Sequence, residues 1–354
     1  MSWDNVSDIK NIKIWTDYSD STQGHLFVND NHQLKLNVGI SFTLKNATTE
    51  GPTEDEVYSA LSLIDNQDSG PLKYLTVVTE NTYTAVYDPY HAESVTTDGT
   101  DDVDDGLYDF LFTYNVSSPT SLNAECYFES VALKLEYTVT NSDGTTSQVI
   151  KETSVKGNYY TKTYVSVTCY PAKLYGMEGQ NRTSLKSVKT VVSGATYHNG
   201  NYDNSGDTSY SVAISIDDSY FKLFYLNGAQ EPDALTTLQP LYINHDYDSP
   251  MWDKIYNSFF PNIQCGEKSY TIIAEVRSNL SYDTYPKIFD ANIPINQKEG
   301  QIIFAAVQTD VKSTGYNWNS NTYQYLRAYD QFGNSMYIVI AFNNNDYNYI
   351  KSVS

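Results

Sequence analysis

Basic residues are scarce. The chain carries 22 Lys and Arg against 43 Asp and Glu, a formal net charge of −21, so approach to a phosphate backbone or an anionic bilayer is electrostatically opposed and nucleic acid is not expected as a partner. Cysteine is nearly absent. Cys126, Cys169 and Cys265 lie far apart, without the paired spacing of a zinc site or thiol redox motif, and their odd number argues against a secreted disulfide framework. They read as buried thiols. The histidines, His25, His32, His91, His198 and His245, show no metal-ligand spacing. The longest apolar runs, near Ile302 to Val307 and Met336 to Phe342, are far shorter than a membrane-spanning helix. Asp4 and Asp8 stand where a cleavable signal needs a basic start and an apolar stretch. The expected product is therefore soluble, without an integral membrane segment or signal peptide, and either cytoplasmic or exported by a signal-independent route. The chain also lacks a Gly-x-Ser-x-Gly elbow and a Lys-bearing phosphate loop. No enzyme is expected and no catalytic residue is assigned.

Tyrosine is abundant, with 33 residues in 354. Tyr favours strands and offers an apolar ring with a hydrogen-bonding tip, which suits wettable contact surfaces. Charged residues make up only 18% of the chain, and the polar balance of Ser, Thr, Asn and Tyr is not the signature of disorder.

The length suits two domains. Leu34, Leu36, Val38, Ile40 and Phe42 alternate strictly within 25–44, and Val131, Leu133, Leu135, Tyr137 and Val139 do so within 127–140, so both stretches are half-buried strands. The second is followed by an Asn141-Ser142-Asp143-Gly144 turn and a returning strand. Further strands are expected at 104–116 and 159–170. Thr53 with Glu56 three residues on, then Val57 and Leu61, predicts either a short capped helix or a strand over 57–64. Alternation lapses over 171–187, which is read as a linker between an N-terminal sandwich (8–170) and a C-terminal one (188–354). The second half has strands at 188–197, 209–216, 220–226, 269–277, 301–308, 322–329 and 336–342. Its helix is expected at 249–260, with Ser249 as cap, Pro250 at the first turn and Pro261 as the stop. The fold class is thus all-β, two antiparallel β-sandwiches with one short helix in the second.

Asp104-Asp105-Gly106-Leu107-Tyr108-Asp109-Phe110 resembles the Asp-x-Gly-x-Tyr-x-Cys corner of immunoglobulin-like domains, with Phe110 in the place of the cysteine. The likeness implies an immunoglobulin-like first domain and says nothing of function. Tyr329-Asp330-Gln331-Phe332-Gly333-Asn334 is similar to turns in bacterial immunoglobulin-like adhesion modules, which implies surface binding.

Two candidate sites emerge. Asp98, Asp101, Asp102, Asp104 and Asp105 cluster on an acidic stretch that could supply oxygen ligands to calcium, although Val103 breaks the calcium-loop pattern. Tyr316, Trp318, Tyr323, Tyr325 and Tyr329 form an aromatic-rich segment suited to a binding surface. The leading expectation is a non-enzymatic binding or self-assembling protein whose partner is a glycan, another protein or copies of itself in a homo-oligomer. Two alternatives come from other classes. One is a secreted pore-forming or insecticidal-type toxin with an amphipathic hairpin at 131–155. The other is a glycan-active hydrolase, since paired carboxylates need no sequence motif.

Overall fold

The computed structural model describes residues 2–79, 82–89, 108–118, 127–177, 182–192, 196–198, 208–227, 254–260, 266–276, 287–309, 322–342 and 349–354. The chain divides into two units, Met1–Ala172 with Phe332–Asn334, and Lys173–Gln331 with Ser335–Ser354.

In the first unit a short 3-10 turn, Ser2–Asn5, leads into β1 (Val6–Trp15), β2 (Gln23–Val28), β3 (Gln33–Leu44), α1 (Glu54–Ala60), β4 (Leu61–Asp65), β5 (Thr76–Val78), β6 (Phe110–Ser117), β7 (Tyr127–Thr140), β8 (Thr146–Glu152) and β9 (Tyr164–Pro171). One sheet runs β1-β3-β6-β5 and the other β2-β9-β7-β4, with β8 added along β7. Neighbours are antiparallel except β2 and β9, which are parallel. Period-two alternation decides what each sheet buries. Leu34, Leu36, Val38 and Ile40 from one sheet join Val131, Leu133, Leu135, Val165, Val167 and Cys169 from the other in a single core. Two sheets closing over one apolar layer make a sandwich. Cys169 is fully buried within this core.

The hairpin at 131–155 therefore has its apolar face inside: Val131, Leu133 and Leu135 have no exposed surface, and Tyr137 and Val139 pack against the same core.

Helix α1 shows how the sequence switches element within a few residues. The backbone N–H of Thr53 donates to the Glu56 carboxylate at 2.8 Å, and the Glu56 N–H donates back to the Thr53 hydroxyl at 3.4 Å. This capping box satisfies orphan donors at the helix start, and Glu54, Asp55 and Glu56 complement its dipole. At Leu61 the backbone turns extended and the chain becomes β4. Thr53→Ala is expected to lower stability by about 1 kcal/mol, read from the midpoint of urea unfolding.

The second unit contains β10 (Tyr175–Gly176), β11 (Thr183–Val191), β12 (Thr196–His198), β13 (Thr208–Ile216), β14 (Leu223–Asn227), β15 (Lys254–Phe260), β16 (Gly266–Val276), β17 (Lys287–Gln297), β18 (Gln301–Thr309), β19 (Thr322–Asp330), β20 (Ser335–Phe342) and β21 (Tyr349–Val353). Their sheets run β10-β11-β13-β18-β15, β12-β17-β16 and β14-β19-β20-β21. Val212, Ile214, Ile302, Leu326, Met336 and Ile338 are buried. The buried Tyr175 hydroxyl donates to the Asp330 carboxylate at 2.5 Å.

The helix expected at 249–260 is not formed where the structure describes that segment. Lys254–Phe260 is a strand, paired antiparallel with β18 from Lys254↔Thr309 to Phe260↔Ile303. Its composition explains the outcome: Ile255, Tyr256, Phe259 and Phe260 prefer a pleated surface, and partner strand β18 lies alongside. Ser249 and Pro250, which suggested a helix start, lie outside the described residues. Among the described residues the α-helix is α1, in the first unit.

Candidate ligand-binding groove

Strand β9 reads Tyr-Val-Ser-Val-Thr-Cys-Tyr-Pro, and alternation divides it cleanly. Val165, Val167 and Cys169 point into the core with no exposed surface, which turns Tyr164, Ser166 and Thr168 to the other face. Register then assembles that face. β7 sets Phe128 opposite Thr168, Ser130 opposite Ser166 and Ala132 opposite Tyr164. Parallel β2 sets Gln23 opposite Ser166 and His25 opposite Thr168. Phe128 and Tyr164 are thus four strand positions apart, about 13 Å along the strands, with hydroxyl side chains between them.

Phe128 is the anomaly of β7. It falls out of phase with Val131, Leu133 and Leu135 and is 62% exposed, while Tyr164 is 38% exposed. The neighbouring Glu129 is buried, and its carboxylate accepts the backbone N–H groups of Lys73 at 2.6 Å and Tyr74 at 3.0 Å. Burial pushes this carboxyl above its ordinary pKa, opposed by those N–H donors. With Glu129 pinned inward, Phe128 is held outward.

These residues border a groove of about 550 Å³, within the range usual for small-ligand sites. Its lining is Lys13 and Ile14 of β1, Ser21 and Thr22 of the turn entering β2, Gln23 of β2, Phe128 of β7, and Lys162, Thr163, Tyr164, Ser166 and Thr168 on or next to β9. The turn is fixed by Asp20, whose carboxylate accepts the Thr22 hydroxyl at 2.6 Å, the Thr22 N–H at 3.0 Å and the Gln23 amide at 2.8 Å. These donors, the Thr22 hydroxyl first, hold the Asp20 carboxyl below the usual carboxylate range. The Thr163 hydroxyl donates to Ile12 O at 3.3 Å and ties the two walls together.

Along the same sheet face lies an aromatic cluster around half-buried His25. Its Nδ1 is 3.3 Å from the Tyr170 hydroxyl, and the Tyr18 hydroxyl is 3.2 Å from its carbonyl oxygen and 3.1 Å from that of Tyr87. Burial lowers the His25 pKa, and Asp88 opposes that shift. His32 is fully buried between rings and is used structurally.

The sequence-derived candidates fare unevenly. Asp98, Asp101, Asp102, Asp104 and Asp105 lie outside the described residues, as do Tyr316 and Trp318. Tyr323 and Tyr325 lie on β19, paired with Ala341 and Val339. Tyr329 is buried, 7% exposed, with the Arg327 guanidinium 5.2 Å from its ring centre, so its face is not open to a ligand. Tyr108 packs its ring 5.7 Å from Trp15 and over Gly39. Among the described residues no group of three or more His, Cys, Asp or Glu is placed to hold a metal ion, and no helix is long and apolar enough to cross a membrane.

The groove residues themselves were not among the sequence-derived candidates. Their signal is nonetheless in the sequence: an aromatic at Phe128 on the polar phase of one strand, and hydroxyls occupying one whole face of another. Comparison with protein-family models, with curated proteins and with solved structures found no match to this chain.

Proposed function

We propose that this chain is a non-catalytic binding protein and that the groove of its first unit takes a glycan. The observation that carries this reading is the pair of outward rings, Phe128 and Tyr164, bracketing a floor of Ser166, Thr168 and neighbouring hydroxyls on a rigid sheet face. An aromatic face covers the apolar C–H side of a sugar ring, while hydroxyls and the Gln23 amide exchange hydrogen bonds with its rim. A floor built on paired strands is pre-organised, which limits the entropy lost on binding. The lining residues include neither Asp nor Glu, so the carboxylate pair needed for glycoside hydrolysis has no source among them.

The test is titration of the full chain against a panel of polysaccharides, with Phe128→Ala and Tyr164→Ala. Each variant should keep the wild-type melting profile and weaken binding about tenfold, as removal of an interface anchor does. Unchanged affinity in both variants would place the ligand elsewhere.

A further inference from the structure

We infer that the ligand of this groove is an anionic glycan, its carboxylate or sulfate groups met by Lys13 and Lys162; this rests on the glycan-binding reading above. Acidic residues outnumber basic ones 43 to 22 in the chain, yet the groove lining holds two lysines and no carboxylate. The local balance is the reverse of the global one.

The lysines are also available. Among the described residues neither forms an ion pair, whereas Lys35, Lys73, Lys134, Lys186 and Lys222 each sit on a carboxylate. Lys162 is held in place by donating to Gly157 O at 2.6 Å, which fixes its ammonium without neutralising it. Lys13 lies with its ammonium 5.6 Å from the centre of the Trp15 ring. Asp20, the nearby acid of the turn, is occupied by Thr22 and Gln23. The chain's net negative charge does not forbid such a ligand. At physiological ionic strength charges more than about 8 Å apart are largely screened, so the groups in contact decide. An ammonium is a compact donor of three hydrogen bonds and suits a single carboxylate or sulfate on a sugar.

The experiment measures affinity of the full chain for polygalacturonate and alginate as carboxylate sources, chondroitin sulfate as a sulfate source, and laminarin and mannan as neutral controls, at physiological ionic strength. Wild type should bind at least one anionic polymer and prefer it to both neutral ones. Lys13→Gln with Lys162→Gln should weaken that binding about tenfold and leave the melting temperature unchanged, since both side chains are exposed. Which anionic polymers bind tells carboxylate from sulfate. Binding of neutral polymers with the same affinity, unaffected by the lysine substitutions, would overturn the anionic ligand and leave the glycan reading standing. No binding to any polysaccharide would overturn both. Single-stranded nucleic acid competing as well as polyuronate, through the same lysines, would overturn the ligand class.

Discussion

A chain carrying Leu133→Asp is expected to lose the cooperative unfolding transition of its first unit. Leu133 has no exposed surface and lies opposite Leu63 of β4, within the layer shared by both sheets. Removing its side chain alone costs about 2–5 kcal/mol. An unpaired carboxylate in the same place adds several kcal/mol more, through desolvation or through forced protonation. Together these approach the roughly 5–15 kcal/mol that holds a domain folded. The adjacent Lys134 is the control, because it faces the other way and pairs with Glu136 at a partly exposed position. Lys134→Gln should change stability by less than about 1 kcal/mol. Near-ultraviolet circular dichroism through a urea titration reads both. A cooperative, wild-type-like transition for Leu133→Asp would mean that β7 does not turn this phase inward.

The same result bears on the hairpin as a membrane-inserting element. Val131, Leu133 and Leu135 are its apolar face and also the centre of the core. Insertion would require dismantling that core first, at the cost of the burial just counted. Liposome leakage lost on Leu133→Asp would therefore report unfolding as readily as failed insertion. A substitution at exposed positions of β8, such as Thr146 or Gln148, is the informative one for that reading.

Where alternation is uninterrupted, the fold is legible in the sequence: β3, β7, β9, β13 and β20 follow from period-two spacing. Strand β1 was not legible, for a geometric reason. Its pairing with β3 shifts register between Val6 and Asp8 and again between Ile9 and Asn11, so its buried residues, Val6, Ile9, Ile12 and Ile14, fall at intervals of three, three and two. Bulges erase the period that betrays a strand. The Lys254–Phe260 segment failed differently: its cap and stop residues suggested a helix, and pairing with β18 prevailed over those local signals. The groove was hidden for a third reason. Phe128 and Tyr164 are 36 residues apart in sequence, and only the register of β7 against β9 makes them neighbours on one face.

Stability of the first unit is expected to fall as pH drops from about 6.5 to about 4, and among the described residues His32 is the largest single contributor to that fall. The ring is fully buried, with its Nδ1 accepting the Phe27 N–H at 3.0 Å, which places the proton on Nε2, where it donates to Ala85 O at 2.9 Å. Phe27 and Phe332 rings flank it at 5.6 and 5.2 Å. A second proton would turn Nδ1 into a donor facing another donor, in a site that solvates charge poorly. Burial accordingly pushes its pKa down to about 4 from an ordinary 6.5, against the smaller pull of Ala85 O. The folded state thus binds fewer protons than the unfolded chain between those values. The contribution is complete above pH 6.5 and shrinks as pH falls, by about 3 kcal/mol at pH 4. Half-buried His25 shifts in the same direction. Asp20, Glu56, Asp68 and Asp143 are held below the usual carboxylate range and lose their stabilisation at lower pH, whereas the raised Glu129 works the opposite way. Subtracting a His32→Gln variant from wild type isolates the histidine. The variant should be less stable at pH 7, with the gap narrowing by about 2–3 kcal/mol by pH 4. Urea unfolding at half-unit pH steps gives the comparison. Two profiles running parallel through that window would show that His32 takes up its proton as readily folded as unfolded, and would remove it as the source of acid sensitivity.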